Sequence, residues 1–132
     1  MIKIAVPSNF PGGLEAGLSG HFGHCDVYTV ATIDETKIHG VEVIPNHGHE
    51  PGACLAPVML LARNGVQGII SGGMGMRPLL GFKQDGIRVF LYREGGQVKD
   101  ALAALQSNRL PEFTDQHTCA GHGHDGNNCG NH

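Results

Sequence analysis

The order of apolar segments along the chain predicts the α/β class, with a five-stranded mixed sheet flanked by helices. Three observations carry this. Short β-rich runs alternate or are wholly apolar, later segments carry apolar residues at helical spacing, and Gly, Pro, Asn or Asp punctuates most junctions. The 132 residues are 40% hydrophobic, which suits one core and not two.

Ile2, Ile4 and Val6 alternate with Lys3 and Ala5 and stop at Pro7, reading as a buried first strand. A long loop, Pro7 to His24, follows. Asp26 to Ile33 and Ile38 to Ile44 are β-rich and are separated by Asp34-Glu35-Thr36-Lys37, a turn-length polar connection that predicts an antiparallel hairpin. Ala53 to Arg63 spaces Cys54, Val58 and Leu61 as a helix, with Asn64-Gly65 as its stop. Val66 to Ile70 reads as a strand, Pro78 to Gln84 as a short helix, and Ile87 to Leu91 as a fifth strand. Gln97 to Gln106 closes the series as a helix with Val98, Leu102 and Leu105 on one face.

Right-handed crossovers place strands four and five beside strand one, away from the hairpin, giving the order 3-2-1-4-5. Strand two alone is then antiparallel. The loops after strands one, three and four, with the start of strand two, emerge at one sheet edge, where open α/β sheets bind ligands.

Composition narrows the function classes. Nine Lys+Arg against twelve Asp+Glu give a net charge of −3, with no basic surplus for a phosphate backbone, so nucleic acid is not an expected partner. No window approaches the ~20 apolar residues that span a bilayer, and Met1 to Val6 runs into a strand instead of a signal sequence. A cytoplasmic protein without a membrane is expected. In that compartment the four Cys stay reduced, and beside nine His they point to metal binding before disulfides.

The edge loops concentrate soft ligands. His21, His24, Cys25, His47, His49, Met74 and Met76 all lie in Pro7–His24, Pro45–Gly52 and Ser71–Arg77 or at their ends. Imidazole, thiolate and thioether favour zinc, copper and iron–sulfur species over magnesium or calcium. Cys25 also reads as a small hydrophobe at a strand start, with Phe22 anchoring the loop to the core. The run Ser71-Gly72-Gly73-Met74-Gly75-Met76-Arg77-Pro78 precedes a helix and offers amide N–H groups to an anion, with Arg77 adding charge. It matches neither the G-x-G-x-x-G fingerprint nor a P-loop, and suits an anionic metal–sulfur cluster.

Ile2-Lys3-Ile4-Ala5-Val6, Ser19-Gly20-His21-Phe22-Gly23-His24-Cys25, and Gly65-Val66 through Ser71-Gly72-Gly73-Met74-Gly75 to Gly86-Ile87-Arg88-Val89 together resemble the dinitrogenase iron–molybdenum cofactor biosynthesis family. The likeness spans residues 1 to about 106. It implies a ribonuclease H-like fold without nuclease activity and a metal–sulfur cluster of the Fe-S, Fe-Mo-S or Mo-Cu-S type at the loop edge. Of the family's site, His21 and the glycine loop, Gly72, Gly73 and Met74, carry over. Cluster donor and acceptor proteins are the partners it implies.

A cluster-binding domain over 1–110 and a His/Cys-rich tail over 111–132 are therefore expected. Cys119-Ala-Gly-His122 and Cys129-Gly-Asn-His132 are two C-x-x-H units six residues apart, one tetrahedral set for zinc that would supply ordering energy the tail's own side chains lack. The leading expectation is a non-catalytic carrier that delivers a cluster or its precursor. The alternative is a zinc- or nickel-buffering module acting through the tail. An enzyme of the nuclease type would need clustered carboxylates for Mg²⁺, and the first strand has none.

Overall fold

A computed structural model describes residues 1–19, 22, 25–46 and 56–113. Its elements are β1 (Ile2–Ser8), β2 (Val27–Ile33), β3 (Ile38–Pro45), α1 (Ala56–Arg63), β4 (Gly68–Ser71), α2 (Met76–Gln84), β5 (Arg88–Leu91) and α3 (Val98–Gln106). They build one five-stranded sheet in the order β3-β2-β1-β4-β5. β1 pairs antiparallel with β2 from Ile2↔Ile33 to Ser8↔Val27, and β4 lies parallel between β1 and β5. The class, strand order and single antiparallel strand two are those the sequence predicts.

The central strand explains the layering. Ile4, Ala5 and Val6 are all buried, so β1 is covered on both faces, as a strand flanked by crossover helices must be. Ala5, Ile69 and Val89 join Val58 and Leu61 of α1 and Leu79 and Phe82 of α2 in one cluster. Ile4, Val6 and Ile70 join Val98, Ala101 and Leu102 of α3 in the other. Period-two alternation along β1 and β4 thus feeds two cores. β3 is an edge strand with most of its residues exposed. Gly68 faces Ile4 across β1 and β4, and a Cβ there would fall 2.7 Å from Ile4 Cδ1, so the side-chain-free position admits the isoleucine.

Several boundaries differ from expectation for identifiable reasons. β4 begins at Gly68 and not Val66, because the Val66 N–H donates to Leu61 O at 3.1 Å and closes the end of α1. α2 begins at Met76, two residues before Pro78. The first-turn N–H groups of a helix have no intrahelical acceptor, so a proline there forfeits nothing. The Asp100 carboxylate accepts the Gln97 N–H at 2.9 Å and starts α3 one residue after Gln97.

The body also reaches past Leu110. Leu91 N–H donates to Pro111 O at 2.9 Å and Phe113 N–H to Val89 O at 2.8 Å, so residues 111–113 run antiparallel to β5. Arg88 pairs with Glu112 at 3.1 Å, and Phe113 is buried in the α1–α2 cluster. Residues 111–113 thus run from beside Leu91 to beside Val89. Cys119, His122, Cys129 and His132 lie outside the described residues.

Candidate functional site

Parallel β1, β4 and β5 end at the same rim, and three loops meet there. The first doubles back on its own strand. Ser19 N–H donates to Pro7 O at 3.0 Å, and Leu18 N–H donates to Gly96 O at 3.2 Å. Beneath it the buried Thr29 hydroxyl accepts the Gly13 N–H at 3.0 Å and lies 2.9 Å from Ser8 Oγ. Gly12, at φ +82°, presses onto β3 where a Cβ would sit 2.8 Å from Val43 Cγ1, so the loop lies flat over the sheet.

The glycine loop is locked from inside. Ser71 Oγ donates to Gly73 O at 2.8 Å and accepts the Gly73 N–H at 3.2 Å. Gly73 O also accepts the Phe22 N–H at 2.9 Å, joining the glycine loop to the loop after β1. Phe22 is buried, with its ring centroid 5.3 Å from Tyr28 and 5.1 Å, edge-on, from Phe82. This is the anchoring role its position suggests. Burial of such a ring contributes about 1.5–3 kcal/mol, ample to hold the loop down.

Of the expected ligands, the structure brings Gly72 and Gly73 to the rim and turns two sulfur residues inward. Met74 is fully buried and Cys25 nearly so, both packed in the α1–α2 cluster with Phe22 and Phe82. Both side chains therefore pack as part of the core beneath the rim. Buried Asn46 donates from Nδ2 to Cys25 O at 2.9 Å, and its own N–H donates to Asp26 O at 3.2 Å. Asp26 in turn accepts the Phe10 N–H at 3.0 Å. The start of β2 and the end of β3 are thus stapled together at the rim. His21, His24, His47 and His49 lie outside the described residues; the first three adjoin Phe22, Cys25 and Asn46 in sequence, and His49 is three positions after Asn46. Arg77 is exposed on the first turn of α2.

A cavity of about 180 Å³ opens on the α3 side of this rim. Val6, Pro7, Leu18 and Ile70 form an apolar floor; Ser19, Ser71, Gly72 and Arg93 form the polar part. Arg93 Nε donates to Gly72 O at 3.2 Å, and Tyr92 N–H to Ser71 O at 3.1 Å, fastening the loop after β5 to the glycine loop. Burial, then the charges of Glu94 and Asp100, raise the Tyr92 phenol above its ordinary value, so it stays protonated through neutral pH. No carboxylate is among the described residues lining the cavity, which suits an anion or a soft species better than a hard cation.

Tyr92 and Arg93 were not among the residues singled out from sequence. A signal for them existed: strand five ends at the same edge as strands one and four, so Tyr92-Arg93-Glu94-Gly95-Gly96 belongs to the same rim.

Solved structures place this arrangement in a known class of small α/β proteins. The apo form of the orange protein of Desulfovibrio gigas is similar at a TM-score of 0.75 with 23% identity, covering 86% of this chain and 94% of that one. A NifB-like protein of Thermotoga is similar at a TM-score of 0.66 with 28% identity, covering 86% and 97%. The family described as dinitrogenase iron-molybdenum cofactor matches residues 1–108, and the chain belongs to it. An uncharacterized protein of Methanocaldococcus jannaschii is 32% identical over 92 residues, 68% of this chain and 74% of its own length.

Proposed function

We propose that the protein is a non-catalytic carrier that holds a metal–sulfur cluster or its precursor at the rim of the sheet and passes it to an acceptor protein. The observation that carries this is the rim cavity, an apolar floor edged by the glycine loop and a guanidinium, in a chain of the iron–molybdenum cofactor family. Metal sulfides are anionic, polarisable and weakly hydrated. A floor of Val6 and Ile70 excludes water from them, while an N–H-rich loop and Arg93 offset their charge. No chemical turnover is required of such a role, and the loops that close the site are the elements that must open for release. A cluster of the Fe-S, Fe-Mo-S or Mo-Cu-S type is the expected cargo, with His21 and His24 as ligands beside Gly72.

A zinc- or nickel-buffering role for the Cys119, His122, Cys129 and His132 set is the competing reading. It is favoured by the paired C-x-x-H spacing. Alanine at His21 and, separately, at both Cys119 and Cys129 tells the two apart by metal and sulfide content after anaerobic loading. The carrier role predicts that His21→Ala lowers loading and the cysteine pair leaves sulfide content intact. Loss of all loading in the cysteine variant alone would overturn it.

A further inference from the structure

We infer that the protein associates with a second copy of itself along the outer edge of β3, in an antiparallel register that sets Val41 of each copy opposite Val43 of the other. This goes beyond the carrier reading and does not rest on it. The hydrogen-bond phase of the strand is the first argument. Asn46 N–H donates to Asp26 O at 3.2 Å, in the same register that pairs Val27 with Pro45, so Asn46 and Asp26 are a bonded pair. Bonded and non-bonded pairs alternate along an antiparallel ladder, which makes Ile44–Tyr28, Glu42–Val30 and Gly40–Thr32 the bonded ones. Val41 and Val43 therefore turn their N–H and C=O groups away from β2. Among the described residues no strand lies on that side, and no backbone bond reaches the two valines from it.

The ends of the strand fix the register and the occupant. The ladder shifts between Thr32 and Ile33, which leaves His39 as the extra residue of a bulge, and Pro45 has no N–H to donate. An antiparallel copy of the same edge satisfies both valines by crossing them, Val41 with the partner's Val43 and Val43 with the partner's Val41. The side chains agree with this phase. Through Ile4↔Ala31↔Val41 and Val6↔Thr29↔Val43 the two valines share the α3 face of the sheet, where they are 42% and 40% exposed. Crossed pairing sets β-branched side chains side by side twice, a favourable cross-strand combination. Gly12 rests on Val43, and the turn from Asn9 to Gly12 holds Phe10, 77% exposed, at the rim end of the same apolar strip. Glu42 lies at the centre on the opposite face, where it meets the partner's Glu42. Its carboxylate is 3.4 Å from Lys3 Nζ, so each copy brings its own countercharge. One exposed like-charge pair buffered in this way is a small cost against two bonded pairs and two valine contacts. Glu42 thus weakens the association without forbidding it, and makes it reversible. Because β3 runs parallel to β1, the antiparallel copy turns its rim to the other end of the joined sheet, and both rim cavities stay open.

The full chain is tested by sedimentation velocity over a concentration series, with a thiol reductant and a chelator present so that neither disulfides nor shared metal can join two chains. Amide hydrogen exchange is read at the lowest and highest concentrations. The expected result is a monomer–dimer equilibrium in which the Val41 and Val43 amides slow as concentration rises, while the Glu42 amide, bonded to β2, is protected throughout. Val41→Lys sets a charge into the valine strip and raises the dissociation constant roughly tenfold or more, whereas Glu42→Gln removes the central repulsion and lowers it several-fold. The gain in Glu42→Gln is a result that a misfolded variant does not give. A monomer at every concentration, in wild type and Glu42→Gln alike, overturns the inference and leaves the edge to a foreign strand. Val41 and Val43 amides already protected in the dilute monomer overturn it too, because the chain then covers its own edge. A dimer that forms equally well in Val41→Lys overturns it in favour of another surface.

Discussion

Asn46 shows how much of the rim depends on one buried side chain. Its amide satisfies the carbonyl of Cys25 and lies 3.9 Å from the Cys25 sulfur, while its backbone N–H reaches Asp26 O. Asn46→Ala leaves a buried carbonyl without that donor, a loss of about 1–3 kcal/mol expected in urea unfolding. Metal loading should fall with it, because the chain positions just before Cys25 and just after Asn46 carry His24 and His47. Unchanged stability in the variant would mean that the staple is dispensable. Sequence could not assign Cys25 between ligand and core, since a small thiol at a strand start serves either role. In the structure Cys25 packs in the α1–α2 cluster, and Met74 packs there with it. Phe22 was legible, because an aromatic between glycine-bounded polar residues has few other reasons to be there.

The β2–β3 hairpin is the element with the clearest acid dependence. Asp34 accepts from the His39 ring at 2.7 Å, and from the Thr36 and Lys37 N–H groups at 2.8 and 2.7 Å. These bonds, His39 first, hold its carboxyl well below the ordinary carboxylate range. A depressed folded value means that the contribution is fully present above the unfolded value near ~3.9, and is lost as pH falls from there through the folded value. Asp34→Asn should therefore unfold at lower denaturant than wild type at pH 7, with a smaller gap at pH 3. A gap that stays constant between the two would contradict this assignment. Gln106 of α3 donates to Asp34 O and Lys37 O at 3.1 and 3.2 Å, so the turn is also tied to the far helix. The turn was readable from four polar residues; the Gln106 tie, 69–72 positions away in sequence, was not. Likewise the start of α2 was placed late because Pro78 was given the first helical position. A first turn tolerates proline at its third residue as well.

At the scale of the whole molecule, strand order was legible because chain connectivity and crossover handedness leave few arrangements, and the alternation of Ile2, Ile4 and Val6 with Lys3 and Ala5 already marked a buried first strand. The cavity was not legible. It requires Leu18 and Ser19 to fold back against Pro7 and Gly96, a set of backbone bonds that no side-chain pattern announces. Topology gathers the ends of β1, β4 and β5 at one rim, and this fold-back turns the rim into a container. The central claim is that the container carries a metal sulfide. It is tested most directly by metal and acid-labile sulfide analysis, with a visible spectrum, on the full chain purified without oxygen. The account predicts metal and sulfide together with charge-transfer absorption; colourless protein, holding zinc or no metal and no sulfide, would contradict it.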